Sequence, residues 1–233
     1  MTKMTGQEFQ DELHSLYQGD TDTPTSADAE WTDRFRKLKT AIREWASEKG
    51  VLWNELWTLL SAAATGGKTV LAATLAYDAP DDFDFPGAWV KTGSAAGGWT
   101  YWDVVSPERA QSFGNTPMQC VFFTGNQNEG MTVNFMKQPT VGDTIEYPYY
   151  KTPTYPDAAG EIIEMSDPMF AVYFVLSQMH EIDGEGDRAV KALRQAQAKL
   201  NGMRTRNVMP AFLQENRVLD HQEDGGRANG FGV

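Results

Sequence analysis

Three observations predict an α+β fold for this chain. Apolar stripes at helical spacing occupy both ends, short aromatic runs of period two fill the middle, and the last 30 residues hold isolated apolar anchors in polar sequence. The expected architecture is N- and C-terminal helices packed together, with an inserted antiparallel β-sandwich or barrel-like module and an extended C-terminal arm. The expected parts are 1–65 (N-terminal helical part), 66–156 (β module), 157–203 (C-terminal helical part) and 204–233 (arm).

Within residues 5–18, Phe9, Leu13, Leu16 and Tyr17 fall on one helical face, and Gly19 offers a stop. A polar segment follows, GDTDTPTSADAE. From Trp31 the series Phe35, Leu38, Ile42 and Trp45 keeps one stripe, predicting a second helix that ends at Gly50. Trp53, Leu56, Trp57 and Leu60 repeat at i, i+3, i+4 and i+7, which predicts a third helical piece over Val51–Leu60.

After Gly67 the pattern changes, with strands expected near 69–75, 87–92, 98–105, 119–124, 130–136 and 143–150. Met131, Val133 and Phe135 alternate with polar residues, as do Ile145, Tyr147 and Tyr149, and QPTVGDT between them reads as the turn of a β-hairpin. Lys151 to Pro156 is an extended, proline-containing hinge. Asp167 then reads as an N-cap with Pro168 at the first helical position, opening a helix over 168–181 that is apolar almost all round and must be covered on most sides. A last helix is expected over 186–203, where Ala189, Leu193, Ala196 and Leu200 form a stripe suited to close packing.

The chain has 233 residues, 41% of them hydrophobic, enough for a sizeable core in one or two domains. Twenty basic against 32 acidic residues leave a net charge of -12, which disfavours non-specific binding to phosphate backbones. The single cysteine, Cys120, cannot form an internal disulfide and reads as a small buried hydrophobe, consistent with a reducing, cytosolic setting. No run approaches the roughly 20 apolar residues of a membrane span, and the acidic, amphipathic N-terminus lacks the pattern of a signal peptide.

Chemical motifs are weak. Gly67-Lys68-Thr69 matches the end of a phosphate loop, but Ala62 stands where the first glycine belongs and Leu56–Ala64 reads as helix where a buried strand is needed. His14, His180 and His221 have no zinc-like spacing, and His180 with Glu181 and Asp183 reads as an ordinary charged helix end. No GxSxG turn occurs, and the Asp81, Asp82 and Asp84 carboxylates sit on a proline-flanked loop. No catalytic, cofactor or metal site is expected. Arg36, Lys39 and Arg43 share one flank of the second helix, where they could grip an acidic neighbour such as another copy of the chain, or stand solvated with local ion pairs. With Leu193 and Leu200 they are the candidates for a subunit interface.

In order, PGAWVKTGSAAGGWTYWDVVSPERAQSF, FFTGNQNEGMTVNFMKQPTVGDTIEYPYYKTPTYP and SDPMFAVYFVLSQMHEIDGEGDRAVKAL resemble the head-to-tail adaptor (connector) proteins of tailed bacteriophages. The likeness spans roughly 5–203 and rests on the TGN turn, the GDTIEYPYY strand, the KTPT hinge and the DP-opened helix. It implies a virion protein made in the host cytoplasm, a homo-oligomeric ring, commonly dodecameric. Such a ring would sit between portal and tail or nozzle protein, with DNA passing through its channel without specific binding. It also implies that the segment Lys199–Val233 docks on the portal, with Met203, Val208, Met209, Phe212, Leu213, Val218 and Leu219 as anchors. An arm too polar to fold alone agrees with this. Two rival readings stand beside it. One is a carbohydrate-binding or enzymatic module that stacks ligands on Trp89, Trp99, Tyr101 and Trp102, rings that core packing explains equally. The other is a different minor tail or capsid protein.

Overall fold

The computed structural model describes residues 3–61, 67–114, 116–126 and 129–207. It is an α+β protein whose described part holds two hydrophobic clusters, one helical and one within a curled sheet.

The chain opens with β1 (Met4–Thr5) and α1 (Gly6–Tyr17). Thr5 and Glu8 form a reciprocal capping box, which satisfies two backbone donors that the first turn would leave orphaned. Helix α2 (Ala29–Ala46) buries Trp31, Phe35, Leu38, Ile42 and Trp45, the stripe read from the sequence. It ends four residues before Gly50, whose φ of +76° serves the turn that follows. Helices α4 (Met169–Ile182) and α5 (Gly186–Asn207) complete the helical body. The apolar α4 lies at its centre and packs against α5, α2 and α1, which covers its many-sided surface. β1 pairs with β11 (Ile162–Ile163), tying the N-terminus to the segment that leads into α4.

The third helical piece does not form. Asn54–Leu56 makes a single 3-10 turn, and Trp57–Leu60 becomes strand β2, antiparallel to β10 (Thr144–Lys151). The helical spacing of Trp53, Leu56, Trp57 and Leu60 is also compatible with this outcome. Trp53 and Leu56 enter the helical core while Leu60 enters the sheet core, so one apolar series serves two bodies. The helical reading of 56–64 fails with it over the described part.

The remaining strands are β3 (Lys68–Thr69), β4 (Ala76–Asp78), β5 (Phe83–Pro86), β6 (Trp89–Ser94), β7 (Gly98–Val104), β8 (Cys120–Asn126) and β9 (Gly130–Phe135). They form the order β2-β10-β6-β7-β8-β9-β4, with β3 and β5 also pairing on β10. The expected strand over 69–75 stops at Thr69; Ala73 adopts φ +57°, which breaks an extended run, and β4 starts at Ala76.

The expected hairpin of β9 and β10 is also overturned. β9 pairs with β8 and β4, whereas β10 runs through the other side of the sheet between β2 and β3 on one flank and β5 and β6 on the other. The QPTVGDT segment is a crossing connection, held by Val70 N–H donating to the Asp143 carbonyl at 2.7 Å and Gly142 N–H donating to Val70 at 3.0 Å. The module is not wholly antiparallel either. β7 and β8 run parallel, made possible by the short helix α3 (Pro107–Ser112) in the connection between them.

Asp167 is not the side-chain cap of α4; Pro168 occupies the N-cap and makes no such bond. The Asp167 carboxylate instead faces α5, 3.4 Å from Lys199 and 3.6 Å from Arg206. On α5 the buried positions are Ala192, Ala196 and Met203; of the expected stripe Ala196 is buried and Leu200 packs on the core, whereas Leu193 turns outward and is 39% exposed.

Candidate assembly surfaces

The sheet presents two faces of different character. Inward, Phe83 stacks on Phe123 and Tyr149 with centroids 5.0 and 5.5 Å away, and Trp102 meets Phe135 edge-on at 5.0 Å. Burial, then the hydrogen bond it donates to Asp82 at 2.8 Å, pushes the Tyr149 phenol up. Burial alone does most of the same for Tyr147. Cys120 is buried, and desolvation raises its thiol, which makes it a poor nucleophile.

Outward, Trp89, Lys91, Gly93, Trp99 and Tyr101 share the exposed face of the β6–β7 pair. Of the four rings read as a possible platform, Trp102 points the other way, donating from its indole to Thr92 inside the sheet. Trp89, Trp99 and Tyr101 remain outside, but the Lys91 ammonium sits 3.9 Å from the Trp99 ring centroid and 2.9 Å from Glu146. Lys91 therefore covers one face of the Trp99 ring.

On the helical body, Arg36 points to solvent and pairs with Asp33 on its own helix. Lys39 and Arg43 turn towards the hinge segment: Lys39 lies 4.0 Å from Asp157, and the Arg43 guanidinium is 5.4 Å from the Tyr155 ring centroid. Two of the three cations thus brace the chain's own 152–161 segment. Leu200 packs against the helical core, and Met203 is fully buried in it, so Met203 serves the body of the subunit. Val208, Met209, Phe212, Leu213, Val218 and Leu219 lie outside the described residues.

A buried polar cluster joins α1 and α2. His14 lies 2.6 Å from Asp20 and 3.0 Å from Arg34, whose guanidinium also donates to Glu30 at 2.6 Å. The Asp22 backbone N–H and then His14 hold the Asp20 carboxyl below its usual range. At the same C-terminal end of α1, Tyr17 donates to Asp183 between α4 and α5; that bond, more than burial, pushes its phenol up to about 12. His180 lies 2.7 Å from Glu185, at ion-pair distance. Among the described residues no three His, Cys, Asp or Glu side chains gather to hold a metal, and no described helix is long and apolar enough to cross a membrane.

One surface was not read from the sequence. Trp57 and Phe85 lie on either side of Tyr150, register partners from β2 and β5, and Leu59 lies opposite Pro148 on the same face. The register shift between Phe85 and Phe83 along β10 turns Phe83 inward and Phe85 outward, though they are two residues apart. Trp57 is 49% exposed, Leu59 39% and Phe85 50%. Alternation in Trp57-Thr58-Leu59-Leu60 was the available signal, masked by the competing helical spacing.

These are the features of a protein that offers surfaces, with its aromatic residues divided between a packed interior and patches left open. A family model described as SU10 adaptor protein matches residues 4–218. The chain belongs to that family, and is accordingly a phage adaptor, a structural component of the virion that associates with other virion components. No curated protein matches it.

Proposed function

We propose that this adaptor forms a ring between the portal and the tail or nozzle protein at the head-tail junction, leaving a channel for genome passage. The observation that carries this reading is the set of large apolar side chains facing solvent on both bodies. Trp57 and Phe85 do so on the sheet, and Ile182, Val190 and Leu193 at the α4–α5 end of the helical body. A monomer gains nothing by leaving such side chains wet, whereas repeated subunit contacts would bury them. Arg36 and Leu193 are proposed to meet the next subunit, while Lys39 and Arg43 brace the subunit's own hinge segment and Leu200 packs on its helical core. The net charge of -12 suits a conduit in which DNA slides without sticking, and a strongly basic lumen would contradict that part of the reading.

The C-terminal arm, with Val208, Met209, Phe212, Leu213, Val218 and Leu219, is proposed to dock on the portal. Electron microscopy of the chain mixed with its portal tests this. Coaxial rings on the portal are expected for the full chain and lost for a chain ending after Asn207, where α5 stops. Equal docking by the shortened chain would overturn the role of the arm.

A further inference from the structure

Charge is unevenly placed on this acidic chain. Helix α5 carries Arg188, Lys191, Arg194, Lys199, Arg204 and Arg206, six of the 20 basic residues, against Asp187 alone of the 32 acidic ones. By the helical period, Arg188, Lys191, Gln195, Lys199 and Arg206 fall on one flank, beside the edge that buries Ala192, Ala196 and Met203. Lys199 and Arg206 lie near Asp167, and Arg188 is 3.1 Å from Glu185. Lys191 and Gln195 have no hydrogen-bond or ion-pair partner among the described residues.

Those two residues border a cleft of about 520 Å³ between the C-terminal end of α1 and the α4–α5 pair. Its lining runs from the buried Leu176 and Ala192, through the half-buried Tyr17 and Tyr173, to Leu16, which is 41% exposed on the α1 side. Arg188, Lys191 and Gln195 stand along the α5 side, and no described carboxylate lines the cleft. The volume falls within the roughly 300–1,000 Å³ typical of binding clefts. An apolar base with guanidinium, ammonium and amide donors on one rim suits a carboxylate carried on an apolar stretch of chain.

A second copy of this chain supplies that chemistry. Each subunit has a net charge of -12, so two copies meeting over average surface repel, and a cationic hollow is where an acidic neighbour is attracted instead. A ring contact is heterologous: it sets one surface of a copy against a different surface of the next, so every subunit can use both a basic cleft and an acidic projection.

We propose that this cleft is the socket for an acidic segment of the next copy, with Lys191 and Arg188 holding its carboxylate and Leu16 and Tyr173 covering the adjoining apolar carbons. The proposal rests on the ring reading and names one seat within it. Assembly then weakens as salt rises, because the charges on the rim are screened.

Portal-bound rings built from equal amounts of unlabelled and heavy-isotope-labelled full chains test this. They are treated with a carbodiimide, which joins an amine to a carboxylate in direct contact. Peptide mass spectrometry should find Lys191 bonded to an Asp or Glu, with light and heavy chains mixed within one cross-linked pair. Arg188→Glu/Lys191→Glu should keep the stability of wild type and lose about tenfold in ring yield, whereas Lys191→Arg should keep the rings and lose the cross-link. Rings whose Lys191 cross-links never mix isotopes, or that carry none, overturn the socket and leave the ring standing. Absence of rings from wild type overturns both. A Lys191 bond to a portal carboxylate overturns the second copy as occupant. So does a labelled DNA duplex that binds the free subunit and fails to bind the charge-reversed variant.

Discussion

Trp45 and Trp53 stack with ring centroids 5.3 Å apart, and the Trp53 indole N–H donates to the Trp45 carbonyl over 2.7 Å. Both are buried, Trp45 at the end of α2 and Trp53 just before the turn into β2, so this pair joins the helical body to the sheet. Trp53→Ala removes the stack, the hydrogen bond and the ring volume together. It should cost about 3–5 kcal/mol, read as a lower urea midpoint, with the cavity term dominating. A loss under about 1 kcal/mol would show that the site collapses freely.

Gly125 in the TGN turn has φ +108°, and a Cβ there would stand 2.2 Å from the Gly130 carbonyl oxygen across the β8–β9 pair. Gly125→Ala should therefore destabilise by at least about 1–3 kcal/mol, since both backbone conformation and close approach oppose it. Gly130→Ala, with φ +90° and open space, should bear only the conformational share. Equal melting temperatures for the two variants would contradict the crowding argument.

The Asp20 carboxyl is held below its usual range by the Asp22 N–H and by His14. Its folded pKa lies below its unfolded one. Its contribution is thus fully present above the ordinary carboxylate range and is lost as pH falls through the depressed value. Thermal melts should show wild type above Asp20→Asn at neutral pH, with the gap closing in acid. A gap that is constant with pH would mean the carboxylate's charge is not involved.

Leu193 lies on the exposed side of α5, 39% exposed, so Leu193→Asp should change stability by no more than about 0.5 kcal/mol, as for a surface site away from the core. Under the proposed ring, the same change should abolish assembly as judged by analytical ultracentrifugation. Normal rings from this variant would remove Leu193 from the interface.

Asp167 stands between α4 and the last turns of α5, within 3.6 Å of both Lys199 and Arg206. The cations are well exposed, so Asp167→Asn should cost only about 0.5–1 kcal/mol. Faster exchange confined to residues 199–207 is the expected sign, and uniform loosening of the helical body would argue that Asp167 does more than pin this end.

Periodicity determined the helices, because an element that buries one stripe must repeat it in sequence: the spacing of Phe9 and Leu13, and of Phe35, Leu38 and Ile42, marks their buried faces. Alternation likewise located β6 to β10, and the ordered motifs of the middle and C-terminal regions pointed to the adaptor family. What periodicity does not carry is partnership. Nothing in MTVNF or TIEYPYY says that the two strands lie apart in the sheet, since pairing is decided by which apolar faces close one core at lowest free energy. Trp53 to Leu60 shows the limit most clearly. Its spacing satisfies a helix, yet splitting it lets Trp53 fill the helical core and Leu60 the sheet core, a gain that only the assembled tertiary structure offers. The apolar strip of Trp57, Leu59 and Phe85 arises from that same decision, with a register shift along β10 that sends Phe83 and Phe85 to opposite faces of one sheet.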